Sequence, residues 1–336
     1  MMHNNTISEI AKKISRASDI ALYAHTNPDG DALGSMLALY VLLKNKGKNV
    51  VCYCDTPVPD KYKCMYMSDC ITFPEKRVHE LAVSVDSGDL DRLGQCMKSF
   101  LAAKSTIAID HHASFRRFAG LCYVDSSASA CAEIVFDLAK ELKGIDDHVA
   151  ELLFSGIVTD SCCFTLPNTT KRTHEITCEL MSYNFDAQKT IFDVFRSSTL
   201  PHFKLKAIAM SKAQFFNDNR IGVIAITLQD FEKASASQLD SEGIVNELLD
   251  VNSVQVAFCL SQVAKHNFKM SIRTKGDANA IEIANEFGGG GHKNAAGCRA
   301  NGYMEDVIEK LVRLASNQLY LEKRRFYKIE KYGQSR

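Results

Sequence analysis

The chain has 336 residues, long for one hydrophobic core, so two domains are expected. Hydrophobic residues make up 46% and charged residues 24%, ordinary globular composition able to bury a core. Forty basic residues balance forty acidic ones, which excludes a global basic field for a long duplex and leaves local clusters and a short anionic ligand.

The opening "MMHNNTISEIAKKIS" reads as the start of an amphipathic helix and not as a secretory signal. "DIALYAH" follows as a strand, "ALGSMLALYVLLKNKG" as a helix closed by Gly47, and "NVVCYC", "ELAVSVD" and "STIAID" as further strands. "ASACAEIVFDLAKELKG" is a helix stopped by Gly144, and "DDHVAELLFSGIVTD" begins another. Strands alternating with helices imply a parallel α/β sheet. After about residue 190 the texture changes. A connecting helix is expected over 187–211, built on "LPHFKLKAIAMSKAQFF", and a smaller α/β domain over 212–320, with "RIGVIAITL", "SVQVAFCLSQV" and "NFKMSIRT" as strands. Residues 321–336 form a basic tail with interleaved aromatics, read as a solvated terminal helix or an RNA-backbone contact. Twelve scattered cysteines without CxxC spacing suit small buried hydrophobes in a reducing cytoplasm. No apolar run approaches the ~20 residues of a membrane span. The expectation is a soluble cytoplasmic protein.

Three strand candidates end in acidic or imidazole groups. "ALYAH" runs through His25 into Asp29 and Asp31, "LAVSVD" stops at Asp86, and "TIAID" stops at Asp110, His111 and His112. "FSGIVTD" adds Asp160 after another apolar segment. Parallel α/β sheets place sites at the carboxyl ends of their strands, so these residues are expected to converge. Taken singly each has a plainer reading: Asp29 and Asp31 as helix caps, "DHH" as a strand end with a satisfied histidine. Together His25, Asp29, Asp31, Asp86, His111 and Asp160 form a nitrogen and oxygen set without sulfur, suited to Mn²⁺ or Mg²⁺. Two ions about 3.5–4 Å apart sharing one carboxylate would use them all, an arrangement that activates water for in-line attack on phosphorus. Pro28 is expected to restrict the backbone and Gly30 to turn it sharply enough to separate the two carboxylates, with Gly34 and Ser35 starting the next helix.

The second domain offers "EFGGGGHKNAAG", Gly288 to Gly291 followed by His292. Four glycines can turn backbone amides toward an anion or act as a flexible hinge. Just upstream, "NFKMSIRT" puts Ser271 and Arg273 on one face of a strand, where the arginine can hold a phosphate bidentately or lie on an exposed edge.

In this order and at these intervals, "AHTNPDGDALGS", "SVD", "IDHH", "GIVTDSCCF", "SIRT" and "GGGGHKNAAG" resemble the motifs of the DHH phosphoesterase family over nearly the whole chain. Within it the chain is most similar to the bifunctional oligoribonuclease and pAp phosphatase subgroup, the nanoRNases. The resemblance implies an α/β protein: a parallel-sheet N-terminal DHH domain over 1–186, a smaller α/β DHH-associated C-terminal domain, and an active-site cleft between them. It implies that His25 and Asp29 bind one metal, Asp31, His111 and Asp160 the other, and that Asp86 bridges them. Asp110 would orient a neighbouring histidine, and His112 would contact the scissile phosphate or protonate the leaving oxygen. Arg273, His292 and the backbone of Gly289, Gly290 and Gly291 would clamp a second phosphate, with Ser271 and Asn294 beside them. The fourth motif usually reads TDTG; here Thr159 and Asp160 precede Ser161, Cys162 and Cys163, which changes the loop and places cysteines near the metals.

The implied activity is a phosphohydrolase with two divalent ions, Mn²⁺ foremost and Mg²⁺ or Co²⁺ as alternatives. It would trim very short RNA from the 5′ end and dephosphorylate pAp. Phosphodiesterase activity on cyclic dinucleotides or linear pApA is the alternative, and an RNA-binding protein without turnover a more distant one. A homodimer is left open.

Overall fold

The computed structural model describes residues 4–291 and 293–332, so the expectation for His292 lies outside the described residues. The chain divides into two units, Met1–Ser197 and Ser198–Arg336.

In the first unit α1 (Ile7–Arg16) opens on a capping box in which Thr6 and Glu9 satisfy each other's backbone amides. Then follow β1 (Asp19–Tyr23), α2 (Gly30–Asn45), β2 (Asn49–Tyr53), β3 (Ile71–Thr72), β4 (Leu81–Val85), α3 (Met97–Ala102), β5 (Thr106–Asp110) and β6 (Leu121–Val124). Helices α4 (Cys131–Glu141), α5 (Asp147–Asp160), α6 (Lys171–Leu180) and α7 (Ala187–Ile191) complete it. The strands form one parallel sheet in the order β3-β2-β1-β4-β5-β6. Strand order reverses between β1 and β4, which opens a crevice at their carboxyl ends. Alternation along β1 serves two cores: Ile20 and Leu22 pack with α1, α2, α4 and α5 on one face, Ala21 and Tyr23 with Phe100 of α3 on the other. Among the described residues no helix is long and apolar enough to cross a membrane, and all twelve cysteines are unpaired.

Helix α2 is apolar nearly all round, as a helix packed on several sides must be. It begins at Gly30, not after it, because the Asp29 carboxylate caps the amides of Asp31 and Ala32 at 3.1 and 3.0 Å. Gly30 therefore makes no sharp turn. A Cβ there would lie 2.4 Å from the Thr159 hydroxyl, and one on Gly34 would lie 2.5 Å from the Leu152 carbonyl and 3.0 Å from the Gly156 nitrogen. The glycines of "GDALGS" let α2 lie against α5, and that contact carries Asp31 toward Asp160.

The second unit contains α8 (Leu200–Ser211), β7 (Gln214–Phe216), β8 (Ile221–Ile226), α9 (Leu228–Ala234), α10 (Asn246–Leu249), β9 (Val256–Ala264), β10 (Asn267–Thr274), α11 (Ala280–Asn285), β11 (Gly290–Gly291), β12 (Ala295–Asn301) and α12 (Met304–Tyr332). Its sheet runs β11-β12-β10-β9-β8-β7, antiparallel except for β8 with β9. Helices α11 and α12 cover one face, α8, α9 and α10 the other. The single helix expected over 187–211 is broken: a π-helical turn at Phe192–Arg196 follows α7, and Thr199 caps α8, whose first turn holds Pro201. Strands β3, β6, β7, β11 and β12 are additional to those expected. The glycine run is an edge strand and not a free loop, with Gly290 and Gly291 opposite Gly297 and Ala296.

Replacing Gly34 by alanine should force α2 from α5 and cost about 1–3 kcal/mol, read as a lowered Tm in thermal unfolding. An unchanged Tm would show that the two helices separate without penalty.

Candidate active site

Every acidic strand end of the first unit opens into the same crevice. His25 follows β1, Asp86 follows β4, Asp110 ends β5, and His111 and His112 come next. Asp29 and Asp31 enter from the start of α2, and Asp160 from the last residue of α5. Three overlapping groups result, each with ligand atoms within 4.8 Å of one another: His25, Asp29 and Asp86; Asp86, His111 and His112; and Asp31, His111 and Asp160.

Asp86 lies between the groups. Its Oδ2 is 4.0 Å from His25 Nε2, and its Oδ1 is 3.4 Å from His111 Nε2 and 3.5 Å from His112 Nδ1. The residue has a left-handed backbone (φ 55°), which aspartate tolerates better than most, and its amide is tied to the Ile109 carbonyl at 3.0 Å. His25 Nε2 is 3.7 Å from Asp29 Oδ2, and His111 Nε2 is 3.6 Å from Asp160 Oδ2 and 3.9 Å from Asp31 Oδ2.

Backbone carbonyls orient both histidines. His25 Nδ1 lies 2.9 Å from the Thr26 carbonyl and His111 Nδ1 3.2 Å from that of Ala128. A carbonyl only accepts, so each Nδ1 carries a proton and each ring turns its Nε2 toward carboxylates. Carboxylates crowded this closely repel one another unless positive charge lies between them. His25 Nε2 and Asp86 Oδ1 are buried and make no hydrogen bond, which is what ligands to a cation look like before the cation is counted. The donor set of imidazole and carboxylate fits a hard or borderline divalent ion.

The ionisation of these groups reports the same conflict. Burial, then the Asp160 charge, pushes Asp31 up to about 7. Burial pushes Asp160 up to about 6 against the pull of His111, and a carboxylate at the C-terminal end of α5 also meets the negative end of the helix. Asp86 is raised well above the carboxylate range by burial and by Asp31. Burial lowers His111, but the Asp86 carboxylate close beside it and the charges of Asp31 and Asp160 outweigh it and raise the ring to about 10. Asp31, Asp86, Asp160 and His111 thus hold protons tightly, whereas burial raises Asp29 less than its neighbour His25 and the Ala32 amide lower it, to about 2.

Asp110 stands behind the cluster. Its Oδ1 accepts from His112 Nδ1 at 2.7 Å and from the His112 amide at 2.8 Å, and its Oδ2 from the Gly88 amide at 2.6 Å. Burial raises it, but the bonds to His112 hold it below the usual range. His112 therefore keeps its proton on Nδ1 and leaves Nε2 for other partners.

Asp31 has partners that the sequence argument missed. Its Oδ2 accepts from the Cys131 amide at 2.5 Å, and its Oδ1 from the Ala132 amide at 2.9 Å and Ser35 Oγ at 3.3 Å. It caps α4 from another helix. The available signal was Ala130 at the N-cap of α4, a residue that cannot cap itself. In the fourth motif Cys162, Cys163 and Phe164 all adopt positive φ (45°, 55° and 66°). Burial pushes the Cys162 thiol up, away from a reactive thiolate, and Cys163 packs on the core.

The remaining expected residues lie in the second unit. Ser271 and Arg273 share a half-buried face of β10, opposite Gly297 and Ala295 of β12. Arg273 donates to the Ile272 carbonyl at 3.0 Å and makes no ion pair among the described residues. Gly289 and Gly291 are required by close approach: a Cβ on Gly289 would lie 2.3 Å from the Gly297 carbonyl and one on Gly291 2.5 Å from that of Ala295. Asn294 is exposed.

Asp31, Asp86, Asp160 and His111 all hold protons more tightly folded than unfolded, so their contribution to stability is present at low pH and is lost as pH rises through the raised values. For Asp31 and Asp160 these are about 7 and 6, for His111 about 10. Chelator-treated protein should therefore melt at lower temperature at pH 8.5 than at pH 5.5, and a divalent cation should stabilise it more at the higher pH. A Tm that climbs with pH in chelator would contradict the electrostatic account.

Comparison with known proteins agrees with the geometry. Residues 19–157 match the DHH family N-terminal domain and residues 220–320 the DHHA1 domain. The bifunctional oligoribonuclease and PAP phosphatase NrnA of Thermus thermophilus is 29% identical, covering 93% of this chain and 93% of its own. The Bacillus subtilis protein of the same name is 26% identical over 91% of this chain and 96% of its own. The crystal structure of an exopolyphosphatase-related protein from Bacteroides fragilis superposes with a TM-score of 0.88 at 26% identity, covering 94% of this chain and 97% of that one. With its DHH domain followed by a DHHA1 domain, the chain belongs to the DHH family of phosphoesterases.

Proposed function

We propose that the protein is a phosphohydrolase that uses two divalent cations, Mn²⁺ foremost, to degrade very short RNA oligonucleotides to mononucleotides from the 5′ end and to remove the 3′-phosphate of pAp. The observation that carries this reading is Asp86, whose two oxygens face different ligand groups. His25, Asp29 and Asp86 would hold the first ion, and Asp31, His111 and Asp160 with Asp86 would hold the second. When bound, the ions supply Lewis-acid polarisation of the phosphoryl oxygens and lower the pKa of water. The protein's own groups do the rest. His112, its Nδ1 fixed by Asp110, presents Nε2 to the scissile phosphate or the leaving oxygen. Arg273, with Ser271 and the Gly289 to Gly291 backbone, takes a second phosphate; its guanidinium has no carboxylate to compete for it among the described residues. The names of the Thermus and Bacillus relatives support short RNA and pAp as substrates. Unpaired cysteines throughout the chain support a reducing, cytoplasmic setting.

Asp86→Asn should lower kcat by at least about 10²–10³-fold, because the charge between the ion sites is lost while the shape is kept. Arg273→Ala should raise KM about 10–100-fold with little change in kcat, the loss of one charged hydrogen-bonding anchor. Both are read on a panel of 2–5-nucleotide RNAs, pAp, pApA, cyclic dinucleotides and pyrophosphate with Mn²⁺ and with Mg²⁺. Full activity of Asp86→Asn would refute the assignment. A kcat/KM for cyclic dinucleotides exceeding those for pAp and short RNA would replace the substrate reading.

A further inference from the structure

One half of the proposed centre is assembled by a short backbone segment. The Ala128 carbonyl orients His111, and the Cys131 and Ala132 amides hold Asp31. Between them is Ser129, whose carbonyl accepts from Asn168 Nδ2 at 3.0 Å. The same nitrogen lies 3.4 Å from the carbonyl of Asp160. An amide nitrogen has two hydrogens, one for each carbonyl, whereas the flipped amide would set its oxygen against two other oxygens, so the donor orientation is the chemically consistent one. Asn168 thus pins the 128–132 segment to the end of α5, and the three side chains this joins are Asp31, His111 and Asp160, one complete ligand group.

We infer that Asn168 is a positioning residue whose amide sets the spacing of Asp31, His111 and Asp160. The inference rests on the reading that these three hold a cation. None of its hydrogen bonds reaches the group of His25, Asp29 and Asp86, so its loss acts on one ion and spares the other. The side-chain oxygen is buried without a partner, so the nitrogen alone performs the task.

The test is a calorimetric titration of the chelator-treated full chain with Mn²⁺, comparing wild type with Asn168→Ala and the isosteric Asn168→Asp, which fills the same space but places an acceptor against two carbonyls. Wild type should take up two ions. Both variants should keep one ion at wild-type affinity and bind the other about 10–100-fold more weakly, the usual effect of losing a residue that orients metal ligands. Melting in chelator checks that each variant folds, and if the alanine variant does not, the isosteric one decides. Two ions at wild-type affinity in Asn168→Asp would overturn the inference and leave Asn168 a space-filler. Failure of wild type itself to take up two ions would instead refute the ligand assignment, and the inference with it.

Discussion

Four carboxylates, Asp29, Asp31, Asp86 and Asp160, meet around the Nε2 atoms of His25 and His111, and the first unit is organised around that conflict of charge. Three of them, Asp31, Asp86 and Asp160, are pushed toward their protonated forms, while against the effect of burial His25 and the start of α2 keep Asp29 ionised. A folded protein maintains the arrangement only if strong restraints hold each group in place. Here they come from the sheet: β1, β4 and β5 end side by side and deliver their residues to one crevice. The helices contribute by a different route. The α2 and α4 N-termini favour the charge of Asp31, whereas the α5 C-terminus disfavours that of Asp160.

Small residues set the distances. Gly30 and Gly34 bring α2 against α5 at Thr159 and Gly156, and a Cβ on Gly156 would lie 2.9 Å from Asp31 Oδ1. Packing between the helices and ligand spacing in the crevice are therefore one problem, solved by the same glycines. The carbonyls of Thr26 and Ala128 solve a second problem by choosing which nitrogen of His25 and His111 faces the acids.

Much of this was legible in the sequence because strands that end in charged residues are unusual and several did so in order. The parallel sheet and the convergence of His25, Asp86, Asp110, His111 and His112 follow from short, nearly continuous apolar runs, alternating with helices, whose last residues are polar. Strands β3 and β11, two residues each, are too short to show a period, and β12 is too rich in alanine and glycine to stand out from a loop. The role of Gly30 was misread because a glycine between two aspartates has the same local signature whether it turns the chain or admits a neighbouring helix. Only the position of Thr159, far along the chain, separates the two. Partners reached through backbone atoms, such as the α4 amides on Asp31, leave almost no mark on residue identity.

The most direct test of the account is the anomalous scattering of crystals grown with Mn²⁺, recorded at the manganese edge. The account predicts two peaks about 3.5–4 Å apart, one on either side of Asp86. A single peak, or a pair that does not share Asp86, would contradict it.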